Sequence, residues 1–150
     1  MKNEQFVVFR IGDENYGLNI ASVLEIMKEA KPIEVPLAPA HVKGVINLRG
    51  DIITVIELHE LLNVTKGEST SDTRVIVVEA AGQKAGIVVD EVMEVTVLSR
   101  EDIQPPPEVT SIRSQLVKGL AKQKDQLLIL LCIDSFFKLS AEEFKHVSQH

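Results

Sequence analysis

A chain of 150 residues with 45% hydrophobic content can bury one compact core, or two small cores that share an interface. A formal charge of −6 and only 4% aromatic residues leave little with which to neutralise phosphates or stack on bases, so nucleic acid is excluded as an expected partner. The longest apolar run, Leu127 to Ile133, is far shorter than the roughly 20 residues that cross a bilayer, and no direct membrane insertion is expected. The opening MKNEQFVVF lacks a secretory pattern, and the single cysteine, Cys132, reads as a buried small hydrophobe rather than a reactive thiol. A cytoplasmic protein without disulfides is expected.

In chain order, short runs rich in Val, Ile and Phe are separated by Gly, Asp, Pro or Ser clusters, and helical periodicity is almost absent before the C-terminus. This pattern predicts a mostly β protein. Strands are expected at FVVFRIG (6–12), NYGLNI (15–20), GVINLR (44–49) and DIITVIEL (51–58), followed by a short helix, LHELL (58–62). The polar stretch 63–73 links this half to the next, where strands are expected at RVIVVEA (74–80), QKAGIVVD (83–90), VMEVTVL (92–98), VKGLAKQ (117–123) and QLLILLCI (126–133). A helical turn around Asp134 to Leu139 and a C-terminal helix over 140–149 follow, the latter opened by a capping box of Ser140 and Glu143.

The second half repeats the first. FVVFRIGDENYGLNIASVLEI, starting at Phe6, aligns without a gap on VIVVEAAGQKAGIVVDEVMEV, starting at Val75, so that Gly17 falls on Gly86, Val23 on Val92 and Glu25 on Glu94. VKGVINLRGDIITVIELHELL, from Val42, aligns on VKGLAKQKDQLLILLCIDSFF, from Val117, and sets Gly44 on Gly119. The copies differ in length only in proline-bearing connections, where the backbone is kept out of regular sheet. Each half therefore encodes a hairpin, a third strand, a proline-rich excursion, a second hairpin and a helical turn. The expectation is a single domain, 1–150, of two pseudo-repeated barrel subdomains at about 6–62 and 74–137, with or without strand exchange. A unit of about 60 residues is marginal alone, so a shared apolar seam is expected between them.

GVINLRG places a charge at the end of an apolar segment. Strand alternation sets Val45, Asn47 and Arg49 on one face and Ile46 and Leu48 on the other, with Gly50 and Asp51 suited to the tight turn. Arg49 is then either a solvated residue beside that turn or the partner of a carboxylate. The repeat offers Glu25, because the second copy carries Glu94 and Lys124 at the equivalent places, and an ion pair between Glu25 and Arg49 at the edge of the seam is the sharper expectation. Gly44, Asn47, Gly50, Gly86, Glu94 and Gly119 are the candidate structural positions. VLEI (23–26) and its repeat VMEV (92–95) read either as core packing or as partner contacts. In QPPPEVTSIRSQL (104–116) the prolines stiffen a loop whose Val109 and Ile112 either fold back onto the barrel or meet a partner.

The hairpin FVVFRIGDENYGLNI, the V-x-E-I at Val23 to Ile26, IEVPLAPAHVKG followed by VINLRG, then DIITVIEL, RVIVVE with GIVVDEV, and GLAKQKDQLLILLCID together resemble the CheW-type coupling proteins of bacterial chemotaxis, from about Phe6 to Leu139. Two departures are mild: Glu57 stands where the family often has aspartate, and His41 where an aromatic or aliphatic residue is common. The resemblance implies two intertwined five-stranded SH3-like barrels, no catalytic activity, no cofactor, and an adaptor role. The implied partners are the regulatory domain of the chemotaxis histidine kinase, the cytoplasmic tip of chemoreceptors, and other coupling-protein copies, in arrays at the membrane. It also implies a receptor-binding groove at Val23, Glu25, Leu48, Arg49, Val92 and Val95. A kinase-binding or ring contact is expected at Gln104, Glu108, Val109 and Ile112. An equivalent adaptor for pili or gliding is the same-class alternative.

The alternative from another class, a small β-barrel enzyme or ligand-binding domain, finds little support. The chain has no G-x-x-x-x-G-K-[ST] loop, no G-x-S-x-G elbow and no H-E-x-x-H, and His59 beside Glu60 has no evident nucleophile to serve. His146 and His150 have a spacing that one helix face could present to a metal, but they stand at the chain end, and no metal site is expected.

Overall fold

Runs such as FVVF, VIVV and GIVV lack polar alternation because the strands they form are covered on both faces. In the computed structural model, residues 3–28, 31–65, 67–106 and 113–137 are described. They form β1 (Asn3–Ile11), β2 (Glu14–Asn19), β3 (Val23–Lys28), β4 (Val42–Leu48), β5 (Asp51–Glu57), α1 (Leu58–Leu62), β6 (Arg74–Ala80), β7 (Gln83–Val89), β8 (Glu91–Ser99), β9 (Ile103–Gln104), β10 (Val117–Gln123) and β11 (Gln126–Leu131). Residues 133–137 are helical. The expected strands and the LHELL helix are all present, with ends moved by up to three residues. The expected capping box and helix at 140–149 lie outside the described residues.

The strands make two sheets, ordered β8-β1-β2-β11-β10-β9 and β3-β6-β7-β5-β4. Each sheet takes one hairpin from one half of the sequence and the remaining strands from the other. The hairpin β1–β2 joins β8, β9, β10 and β11, while β6–β7 joins β3, β4 and β5. The pairings repeat with the sequence: β1 with β8 matches β6 with β3, and the parallel pair β2 with β11 matches β7 with β5. Even the irregularities repeat, with a bulge at Leu24 on β3 and at Met93 on β8.

Alternation along the doubly covered strands feeds three cores. Phe6 and Val8 of β1 join Leu98, Ala121, Leu128 and Leu130 inside the six-stranded sheet. Val75 and Val77 of β6 join Ile46, Ile53, Val55 and Val88 inside the five-stranded one. The residues between them, Val7, Phe9 and Ile11 on β1 and Ile76 and Val78 on β6, meet in the largest core, which also takes Ile87, Val89, Leu61 and Phe136. This is the shared seam expected from the size of each unit.

Each sheet curls until its first strand reaches the hairpin near the other end of the strand order. In the five-stranded sheet, Glu25 of edge strand β3 reaches Arg49 beside the opposite edge strand β4. In the six-stranded sheet, Glu94 and Thr96 of edge strand β8 reach Lys124 and Gln123 at the end of β10. The repeated glycines serve close approaches. A Cβ on Gly44 would lie 2.4 Å from the Ile33 carbonyl oxygen, and one on Gly119 would lie 2.8 Å from Ile103 Cγ2. Ile33 pairs with Val45 much as Gln104 of β9 pairs with Leu120, so the chain after the third strand crosses the same glycine in both copies.

Candidate partner-binding site

Arg49 is not the last residue of a strand. β4 ends at Leu48, and Arg49 and Gly50 form the two-residue turn, with φ of +54° and +90°. Tight hairpins favour positive φ at both central positions because that twist matches the strands they join. This corrects the expected alternation: Arg49 leaves the face of Val45 and Asn47 and projects from the turn, its side chain 79% exposed. The Asn47 side-chain oxygen accepts a hydrogen bond from the Gly50 N–H at 3.0 Å, which holds the turn. Lys124 and Asp125 make the same turn in the second copy, with φ of +48° and +65°.

Arg49 Nη1 lies 2.8 Å from Glu25 Oε2, the ion pair expected from the repeat. Glu25 is held by β3 just past the Leu24 bulge, and its side chain is three-quarters covered. The equivalent pair is looser: Lys124 Nζ lies 3.8 Å from Glu94 Oε2, with Lys124 as exposed as Arg49 and Glu94 more exposed than Glu25. Arginine's planar fork suits a short, oriented contact, whereas lysine acts as a point charge at longer range.

The other groove residues divide between two surroundings. Val23 and Val92, equivalent in the repeat, are half-buried and pack against the shared core, and Leu48 packs half-buried against the core of the five-stranded sheet. Val95 is exposed. Apolar side chains beside them also face outward: Leu24 and Ile26 on β3, Met93 and Val97 on β8. Their exposure was not read from the sequence, where VLEI and VMEV fit core packing as well as partner contact; in β3 the outward residues Leu24 and Ile26 alternate with the half-buried Val23, Glu25 and Met27. Gly86 is needed for packing, since a Cβ there would stand 2.9 Å from Val75 Cγ1. Gln104 is exposed on β9, at the edge of the six-stranded sheet. Glu108, Val109 and Ile112 lie outside the described residues, as do His146 and His150.

Cys132 is half-buried rather than buried. Among the described residues, no group of three or more His, Cys, Asp or Glu is placed to hold a metal, and no helix is long and apolar enough to cross a membrane.

The description "CheW-like domain" matches residues 5–141. The chain belongs to the CheW-like family. It is similar to the chemotaxis protein CheW of Helicobacter pylori, 37% identical over 134 residues that cover 89% of this chain and 81% of the relative. It is also similar to the crystal structure of the scaffolding protein TtCheW from Thermoanaerobacter tengcongensis, with a TM-score of 0.82 and 40% identity over 87% of this chain and 90% of that one. A more distant relative is Protein FrzA of Myxococcus xanthus, 30% identical over 69% of this chain and 65% of its own. CheW-like membership makes this chain a coupling and scaffold component of chemotaxis, not an enzyme.

Proposed function

We propose that this protein is a cytoplasmic adaptor, recruited to membrane receptor arrays, that couples chemoreceptors to the regulatory domain of the chemotaxis histidine kinase. The observation that carries this reading is a CheW-like chain whose Glu25–Arg49 pair stands beside exposed apolar residues of β3. A receptor tip is a helical hairpin, and an apolar groove with a charged rim suits an amphipathic helix. Val23, Glu25, Leu48, Arg49, Val92 and Val95 form the receptor side of the proposal. Gln104, with Glu108, Val109 and Ile112, forms the side for the kinase or another copy. The division into two pseudo-repeated units within one domain supplies two distinct faces for simultaneous binding.

Titration of the full chain with the isolated kinase regulatory domain, and separately with a receptor-tip fragment, tests the reading. Binding to each, and to both together, is expected; binding to neither overturns it. The similarity to Protein FrzA, whose name is not that of a chemotaxis protein, favours a second reading, in which the same coupling serves an output such as pili or gliding. Motility assays of a strain lacking the gene separate the two.

A further inference from the structure

His59 of α1 is 1% exposed, and both its ring nitrogens face carboxylates. Nδ1 lies 3.1 Å from Glu57 Oε1 and Nε2 lies 3.0 Å from Asp90 Oδ1. An ionised carboxylate only accepts, and a neutral imidazole has a single N–H, so both contacts are hydrogen bonds only when the ring carries two protons. The neutral ring would set a nitrogen lone pair against a carboxylate oxygen inside the protein, where an unmet polar group is costly.

The position matters as much as the chemistry. Asp90 stands between β7 and β8, where the chain passes from the five-stranded sheet to the six-stranded one. Its Oδ2 accepts the Gly12 N–H of the β1–β2 turn at 2.7 Å, and its own N–H donates to the Arg10 carbonyl at 3.0 Å. Glu57 and His59, at the end of β5 and in α1, belong to the other side of that crossing. We propose that His59 is a proton-dependent clasp between the two sheets, closed as the imidazolium between Glu57 and Asp90 and loosened when the ring loses its second proton.

The charges around the clasp are mostly acidic. Arg10 Nη1 is 3.8 Å from Asp90 Oδ2, and its Nε is shared with Glu91 at 3.5 Å. Glu60 follows His59 on α1 and, with Lys43 of β4, lines a cavity that Glu57 also reaches. Buried His41 accepts the Glu57 N–H through its carbonyl at 2.7 Å, and Asp13 and Glu68 line a cavity with Arg10 and Asp90. Burial by itself pushes the His59 imidazolium toward losing its proton, but the hydrogen bonds to Glu57 and Asp90 and their charges outweigh it, and the ring titrates above its ordinary value. The clasp's contribution is therefore complete below about pH 6.5, the unfolded value, and is lost as pH rises through the higher folded value. The junction it ties also sets the start of β8, which carries Val92, Met93 and Val95.

Imidazole nitrogen NMR on the full chain, together with urea unfolding between pH 5.5 and 9, tests the clasp. The expected result is a His59 ring with both nitrogens protonated at pH 6.5 and a titration displaced upward. The folding constant should fall by up to about tenfold per pH unit across the window between the unfolded and folded values, and this component should vanish in His59→Gln. A single neutral tautomer at pH 6.5, or a His59→Gln protein with the wild-type pH slope, overturns the proposal. If His59→Gln does not fold, the ring titration of the wild-type protein decides alone.

Discussion

Glu25 and Arg49 join the two edges of the five-stranded sheet, β3 at one end of the strand order and the β4–β5 turn at the other, through a contact of 2.8 Å. With Arg49 so exposed, the pair is expected to contribute no more than a surface ion pair, about 0.2–1 kcal/mol, so neither Glu25→Arg nor Arg49→Glu should shift the unfolding midpoint much. If the pair orients a surface that a receptor tip reads, each single change should weaken binding of a tip fragment several-fold, and the double exchange should restore part of it. Calorimetric titration of the four proteins measures this, and absence of recovery in the double variant counts against the pairing as a recognition element.

Gly44→Ala should be more damaging than Gly119→Ala, although the two positions are equivalent in the repeat. A Cβ at 44 meets the backbone carbonyl of Ile33, which cannot turn aside, whereas one at 119 first meets a side-chain methyl of Ile103. Overpacking of this kind costs typically about 1–3 kcal/mol, and Gly44→Ala is expected at or above the top of that range. Urea unfolding of both variants checks the order.

Truncation in the shared core should cost far more than truncation on the surface. Ile76 is fully buried between the sheets, and Ile76→Ala is expected to destabilise by about 2–5 kcal/mol. Ile52 is 77% exposed, and its repeat equivalent Leu127 is exposed as well, so Ile52→Ser should stay within about 0.5 kcal/mol of wild type. A large loss on Ile52→Ser, seen by thermal unfolding, would show that this residue is covered in solution.

Asp90→Ala should cost about 1–3 kcal/mol, because it leaves the Gly12 N–H and one nitrogen of His59 without the acceptor they share. Asp90→Asn keeps an acceptor for only one of them and should fall between. Thermal unfolding at pH 6 orders the three proteins, and equal midpoints for Asp90→Ala and wild type would show that the carboxylate holds neither group.

Much of the fold was legible because hydrophobic runs and turn residues are local signals. The strand at 74–80, the helix at 58–62 and the Glu25–Arg49 pair all followed from pattern and repetition. The departure at Arg49 has a local cause: strand alternation holds only to Leu48, and the next residue enters a turn with positive φ, which a non-glycine residue adopts only occasionally and which the apolar pattern does not mark. The Glu57–His59–Asp90 cluster was missed because its members are joined by the passage of the chain between sheets, which no spacing announces.

By itself, the sequence determined the class of fold, the duplication, the need for a shared apolar seam and the family, since each rests on residue order and side-chain chemistry along one strand at a time. Only the tertiary structure decided which hairpin joins which sheet. Runs such as VVF and VIVV are apolar on both faces, so they specify burial without specifying a partner, and the partner is chosen where β1 meets β8 and β6 meets β3. That exchange carries the chain from one sheet to the other at Asp90 and so creates the buried site around His59.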